Sequence, residues 1–155
     1  MNEYLFYDTS ALLLEKEKAF SKSRVILSSI TLNELENIKT SNSKDNEVKA
    51  AARALLNYMS EHLSKFTVVP YQQSMLEPIK QMDLEISPDM KILSCAIWYD
   101  KNVCPDEVIF VTADLGQYLT ANLFFGNDSV KILQLEEEDD YKGYKEVKLS
   151  QYEMA

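Results

Sequence analysis

Short uninterrupted apolar runs alternate along the chain with stretches in which apolar residues recur every three or four positions, and this predicts strands separated by helices. Tyr4-Leu5-Phe6-Tyr7 reads as a buried strand that stops at Asp8-Thr9-Ser10, after which Ala11-Leu12-Leu13-Leu14 reads as a helix. Val25-Ile26-Leu27 reads as a second strand. Thr31 then caps a helix in a capping box with Glu34, and the polar stretch Thr40-Ser41-Asn42-Ser43-Lys44 breaks it. Between Asp45 and Lys65, residues Val48, Ala51, Ala52, Leu55, Leu56, Met59 and Leu63 share one stripe, which predicts a long amphipathic helix carrying Lys49, Arg53 and Asn57 on its other face. A third strand, Phe66-Thr67-Val68-Val69, is closed by Pro70, and a helix follows around Gln73 to Lys80. Ser87-Pro88-Asp89 opens another, with Ile92, Leu93, Ala96 and Ile97 as its apolar stripe. Val108-Ile109-Phe110-Val111 reads as a fourth strand running into Thr112-Ala113-Asp114. A short helix near Gln117 to Leu123 and a last strand, Val130-Lys131-Ile132-Leu133, complete the pattern.

Strands that are apolar throughout, joined by helices long enough to cross over, imply an α/β fold: three layers, α/β/α, around a mainly parallel sheet of about five strands. The 155 residues suffice for one domain with a core and not for two. That domain is expected over residues 1–135. Residues 136–155 have neither helical nor alternating periodicity, and carry the run Glu136-Glu137-Glu138-Asp139-Asp140 followed by Tyr141-Lys142-Gly143-Tyr144-Lys145. They read as an acidic, tyrosine-containing C-terminal segment, suited to link to a further domain.

Composition narrows the function classes. No stretch reaches the roughly 18 to 20 apolar residues that span a bilayer, and Met1-Asn2-Glu3 lacks the basic start of a signal peptide, so the expectation is a soluble, cytoplasmic protein with no membrane partner. Cys95 and Cys104 form no CxxC or zinc-type cluster and read as incidental thiols, while the lone histidine, His62, argues against a histidine-based metal site. The net charge of −9 opposes a phosphate-backbone partner at first sight. Its distribution changes that: residues 136–155 hold seven acids and three bases, which accounts for −4 of the total, and the remaining −5 includes four carboxylates that a cation would offset.

Those four are Asp8, Glu34, Asp89 and Asp114. In open parallel sheets ligands bind beyond the carboxyl ends of the strands, where helix N-termini also converge. Asp8 and Asp114 each follow a strand, Asp89 opens a helix, and Glu34 is expected in the first turn of another. Taken singly, each is explained as a helix cap or first-turn acid. Gathered in one cleft they repel one another, which costs stability unless a cation fills the cleft, and oxygen ligands in that number suit Mg²⁺ or Mn²⁺. Asp106 and Glu107 precede a strand and belong at the opposite edge. Thr9, Ser10 and Thr112 are candidates to orient a carboxylate or a metal-bound water. Lys49, Arg53 and Lys91, with Lys39 and Lys44, are candidates to contact a phosphate backbone, although a solvated helix face is the commoner explanation for such residues.

In the segments Tyr7-Asp8-Thr9-Ser10-Ala11-Leu12, Leu32-Asn33-Glu34-Leu35, Pro88-Asp89-Met90-Lys91-Ile92-Leu93 and Val111-Thr112-Ala113-Asp114, taken in that order, the chain resembles the PIN domain family of metal-dependent ribonucleases. Within the family it is most similar to the PIN domain that precedes a PhoH-type ATPase, on Leu35-Glu36-Asn37-Ile38-Lys39, Ala51-Ala52-Arg53-Ala54 and residues Tyr141 to Val147. The resemblance implies a parallel five-stranded sheet, Mg²⁺ or Mn²⁺ held at Asp8, Glu34, Asp89 and Asp114, and endonucleolytic cleavage of single-stranded RNA. It also implies an ATPase domain outside this chain as a partner, since no Walker A sequence occurs here. Gly116 stands where many relatives carry another polar or acidic residue, which favours one well-held ion with a second recruited by substrate. Two alternatives stay open: a catalytically weak PIN-fold module for binding or homo-oligomerisation, and a freestanding toxin-type ribonuclease.

Overall fold

Every predicted strand forms where its apolar run lies. The computed structural model describes residues 3–134. The acidic run and the Tyr141 to Val147 stretch therefore lie outside the described residues. In chain order the elements are β1 (Tyr4–Tyr7), α1 (Thr9–Glu15), α2 (Ala19–Lys22), β2 (Arg24–Ser28), α3 (Ser29–Thr40), α4 (Asn46–Glu61), β3 (Phe66–Val69), α5 (Glu77–Gln81), α6 (Pro88–Asn102), β4 (Val108–Thr112), α7 (Leu115–Ala121) and β5 (Val130–Ile132). Short 3₁₀ turns join several of them.

The five strands make one sheet in the order β3-β2-β1-β4-β5, and every pairing is parallel. β1 pairs on one side with β2, Leu5 opposite Val25, and on the other with β4, Leu5 opposite Ile109. Strand order thus reverses at the β1/β4 seam, the place where an open α/β sheet leaves a crevice beyond its carboxyl edge. Backbone bonds carry the ladder to that edge: Asp8 N donates to Val111 O at 3.0 Å and Leu133 N to Thr112 O at 2.8 Å.

Alternate residues of each strand feed two cores, as the period of two requires. On one face Phe6, Ile26, Phe110 and Val130 pack with Ile79 of α5, with Ile92, Leu93 and Ala96 of α6 and with Ala121 of α7. On the other, Leu5, Tyr7, Val25, Leu27 and Val111 pack with Ala11 and Leu12 of α1, with Leu35 of α3 and with Ala52, Leu55 and Met59 of α4. Helices on both faces of a parallel sheet complete the three-layer fold. None of the described helices is long and apolar enough to cross a membrane.

Some local expectations are corrected. α3 starts directly off β2: Ser28, the last residue of the strand, is its N-cap and accepts from Thr31 N at 3.2 Å. Thr31 is therefore inside the helix, and Glu34 lies in its second turn, so the expected capping box does not form. The extended backbone of Ser28 already presents a hydroxyl to the third helical N–H, which leaves no cap for Thr31 to supply. Leu63 is 72% exposed in a 3₁₀ turn beyond α4 and does not share its stripe. The helix expected at 73–80 is a 3₁₀ turn followed by α5, because Pro78 is tolerated only in the first turn of an α-helix. α7 begins two residues before Gln117 because Asp114 caps it.

Candidate functional site

Three carboxylates reach the carboxyl edge of the sheet through helix N-termini. Asp8 ends β1 and caps α1, its Oδ1 accepting from Ala11 N at 3.0 Å. Asp114 follows β4 and caps α7, its Oδ2 accepting from Gln117 N at 2.9 Å. Asp89 sits in the first turn of α6 behind Pro88. Asp8 and Asp114 thus serve as helix caps and Asp89 as a first-turn acid, and the partial positive charge of a helix N-terminus favours each carboxylate where it lies.

Asp8 differs from the others in its surroundings. It is 2% exposed, and besides Ala11 N it accepts hydrogen bonds from Ser10 Oγ at 2.8 Å on Oδ1 and from Thr112 Oγ1 at 2.5 Å on Oδ2. Burial pushes its pKa from an ordinary 3.8 up to about 6. Its bonds to Thr112, Ala11 and Ser10 hold that rise down, and the charge of Asp89 adds to it. The Asp89 carboxyl is also raised, by loss of hydration first and by Asp114 second. Asp8 therefore feels Asp89, and Asp89 feels Asp114.

Ser10 and Thr112, both sequence candidates, connect these residues physically. Ser10 Oγ accepts from Ala113 N at 3.0 Å while donating to Asp8, and Thr112 Oγ1 accepts from Asp114 N at 3.0 Å while donating to Asp8. Glu34, half-buried on α3, lies with Oε1 2.5 Å from Thr9 Oγ1, and that hydroxyl is 3.0 Å from Thr31 Oγ1. The third orienting candidate, Thr9, thus meets Glu34 and adjoins Asp8 in sequence. Among the described residues, however, no group of three or more His, Cys, Asp or Glu side chains is close enough together to hold an ion. The structure brings the aspartates into electrostatic contact without closing them into a cage.

The donor set nonetheless fits a hard cation. All four groups offer oxygen only, and Asp8 has spent three of its roughly four acceptor positions on neighbours, leaving one. Asp89 and Asp114 are exposed, so their side chains have room to turn. A Cβ added at Gly116 would stand 3.6 Å from Asp114 Oδ2, an ordinary contact, so the absence of a side chain there is not forced by crowding.

The cationic candidates are scattered. Lys91 lies half-buried on α6 two residues from Asp89, its Nζ 5.6 Å from the centre of the Tyr71 ring. Lys49 is half-buried and Arg53 exposed on α4. Lys39 pairs with Glu36 at 3.0 Å within α3. Asp106 precedes β4 at the opposite edge, as expected.

One residue of this edge is absent from the sequence candidates. Gln117 is 2% exposed, and its Nε2 donates to the backbone carbonyl of Asp89 at 2.9 Å. Asp114-x-x-Gln117 has the spacing of a capping box, a signal for the start of α7. Nothing in that spacing indicates that the amide reaches to α6 instead.

Comparison with known proteins gives one family. The PIN domain family model matches residues 5–124. Among solved structures, a VapBC-5 structure from Mycobacterium tuberculosis, described as a member of the VapBC family of toxin-antitoxin systems, aligns at 16% identity and a TM-score of 0.54, covering 84% of this chain and 98% of that one. FitAB bound to an IR36 DNA fragment aligns at 17% identity and a TM-score of 0.50, covering 86% and 97%. Identities this low establish a shared fold. No curated protein sequence matches the chain.

Proposed function

The chain belongs to the PIN domain family, whose members are typically metal-dependent nucleases, and from that premise we propose that it is an endoribonuclease acting on single-stranded RNA with Mg²⁺ or Mn²⁺. One observation carries the reading: Thr112 joins Asp8 to Asp114 and Gln117 joins the same turn to Asp89, which gathers the three aspartates at the carboxyl edge, beside the seam where strand order reverses.

Asp8, Glu34, Asp89 and Asp114 would hold the ion. When bound, a divalent ion supplies Lewis-acid polarisation of a phosphoryl oxygen and a water that ionises near neutral pH. The chain's own residues do the rest. Ser10 and Thr112 fix the rotamer of Asp8, and the buried Asp8 carboxyl, with its pKa near 6, is mostly ionised at neutral pH and ready to bind a cation. Thr9 holds Glu34 toward the same edge. Lys91, two residues from Asp89, is the nearest to it in sequence of the cations proposed to meet RNA phosphate; Lys49 and Arg53 on α4 are proposed to extend that contact.

The test is cleavage of a generic single-stranded RNA. Cleavage is expected with Mn²⁺ or Mg²⁺, and EDTA, Asp8→Asn and Asp114→Asn should each abolish it. Equal cleavage by Asp8→Asn protein would refute the proposal. A second reading, a catalytically weak binding or oligomerisation module, is favoured by the lack of a closed carboxylate cluster among the described residues. It predicts a folded protein that binds RNA in EDTA and shows no turnover with either metal. Operation beside a PhoH-type ATPase rests on the sequence at 35–39 and 51–54 and on a stretch outside the described residues. A toxin role would show as slow growth on expression, relieved by Asp114→Asn.

A further inference from the structure

We propose that Gln117 is a positioning residue that sets the spacing between the Asp89 and Asp114 carboxylates so that both serve one divalent ion; the inference rests on the metal reading above. The two aspartates lie on separate helices, α6 and α7, with no strand pairing between those N-termini. Gln117 touches both. Its backbone N–H donates to Asp114 Oδ2 at 2.9 Å, and its side-chain Nε2 donates to Asp89 O, also at 2.9 Å. A carbonyl oxygen has two acceptor positions, so Asp89 O takes this bond without giving up its helical one.

The link is the last step of a continuous chain. Asp8 Oδ2 accepts from Thr112 Oγ1, Thr112 Oγ1 accepts from Asp114 N, Asp114 Oδ2 accepts from Gln117 N, and Gln117 Nε2 reaches Asp89 O. The Asp8 and Asp114 carboxylates and the Asp89 backbone, distant in sequence, are thereby tied together through two uncharged side chains. Gln117 is 2% exposed and lies on the helix whose other buried residue, Ala121, packs in the apolar core. A leucine or methionine of similar size would satisfy packing there without an amide to desolvate. The amide supplies what an apolar side chain would lack, the bond from Nε2 to α6.

Mn²⁺ alone, titrated calorimetrically into wild-type protein and into Gln117→Leu protein, tests the role. Removing a residue that orients metal ligands typically weakens affinity about 10- to 100-fold, so at least a tenfold loss is expected, with a thermal midpoint in EDTA within a few degrees of wild type. On RNA, kcat should fall while KM holds. If Gln117→Leu protein does not fold, Gln117→Met carries the same test. A folded variant with wild-type Mn²⁺ affinity overturns the role of Gln117 and leaves the metal reading standing. A wild-type protein that binds no Mn²⁺ overturns the metal reading, and this inference with it.

Discussion

Asp8→Asn should stabilise the metal-free protein at neutral and alkaline pH while destroying its proposed activity. Burial lifts the Asp8 pKa from 3.8 to about 6, so the folded state holds the Asp8 proton more tightly than the unfolded state does. The stability gained from that proton is complete below pH 3.8 and is lost as pH rises through about 6. Above that, a buried charge burdens the fold by about 3 kcal/mol, at roughly 1.4 kcal/mol per pH unit of displacement. Asparagine removes the charge and keeps an acceptor for Ser10 and Ala11 N, but its amide faces the Thr112 hydroxyl, which must turn to accept; about 1 kcal/mol is lost there. The net gain is about 2 kcal/mol at pH 8, or on the order of 4–8 °C in Tm for a domain of this size. Thermal denaturation in EDTA at pH 8 and pH 4 reads it: the variant should melt higher at pH 8, and the advantage should vanish at pH 4. Saturating Mn²⁺ at about 100 times its Kd should restore roughly 2.7 kcal/mol to the wild type and nothing to the variant. A variant less stable than wild type at pH 8, or a difference that does not change with pH, would refute the assignment of a strained charge to Asp8.

Thr112→Val removes the donor to Asp8 Oδ2 and the acceptor of Asp114 N, so it should cost about 1–3 kcal/mol in urea denaturation at pH 7 and move the Asp8 titration above pH 6. Ser28→Ala should destabilise by about 1 kcal/mol through loss of the α3 cap, and the same denaturation assay on Thr31→Ala should show no capping loss on α3. Cys95 is buried and its thiol is pushed up to about 12, so iodoacetamide should spare it in the native protein and label it in urea; native labelling at the rate of Cys104 would contradict its placement.

Strands were legible because each is a short apolar run ended by polar residues, and a parallel sheet buried on both faces needs nothing subtler. The same logic points to the edge of the candidate site: a carboxylate one or two residues past β1 or β4 lies at the carboxyl end. Helix starts were less legible where two cap residues compete. Ser28 and Thr31 are both hydroxyl residues at suitable spacings, and only the strand's extended geometry decides for Ser28. Contacts between helices were not legible at all. Gln117 to Asp89 O and Thr9 to Glu34 join separate elements, and local spacing carries no information about which elements become neighbours. Leu63 shows the converse: its spacing continues the α4 stripe, but the helix has already ended at Glu61.

The β1/β4 seam has a consequence for the order of events in synthesis. Tyr4 pairs with Val108, so the central strand finds one of its two partners only after more than a hundred further residues have been made. Contacts of such long range form late, because the loop entropy must be met before the contact stabilises anything. Asp8 and Glu34 are both translated early, yet Thr112, which orients Asp8, and Asp114 arrive with β4 and the turn after it. Asp8 and Asp114 are therefore joined through Thr112 only in a chain that has placed β4 beside β1, and an unfinished or misregistered chain lacks that link.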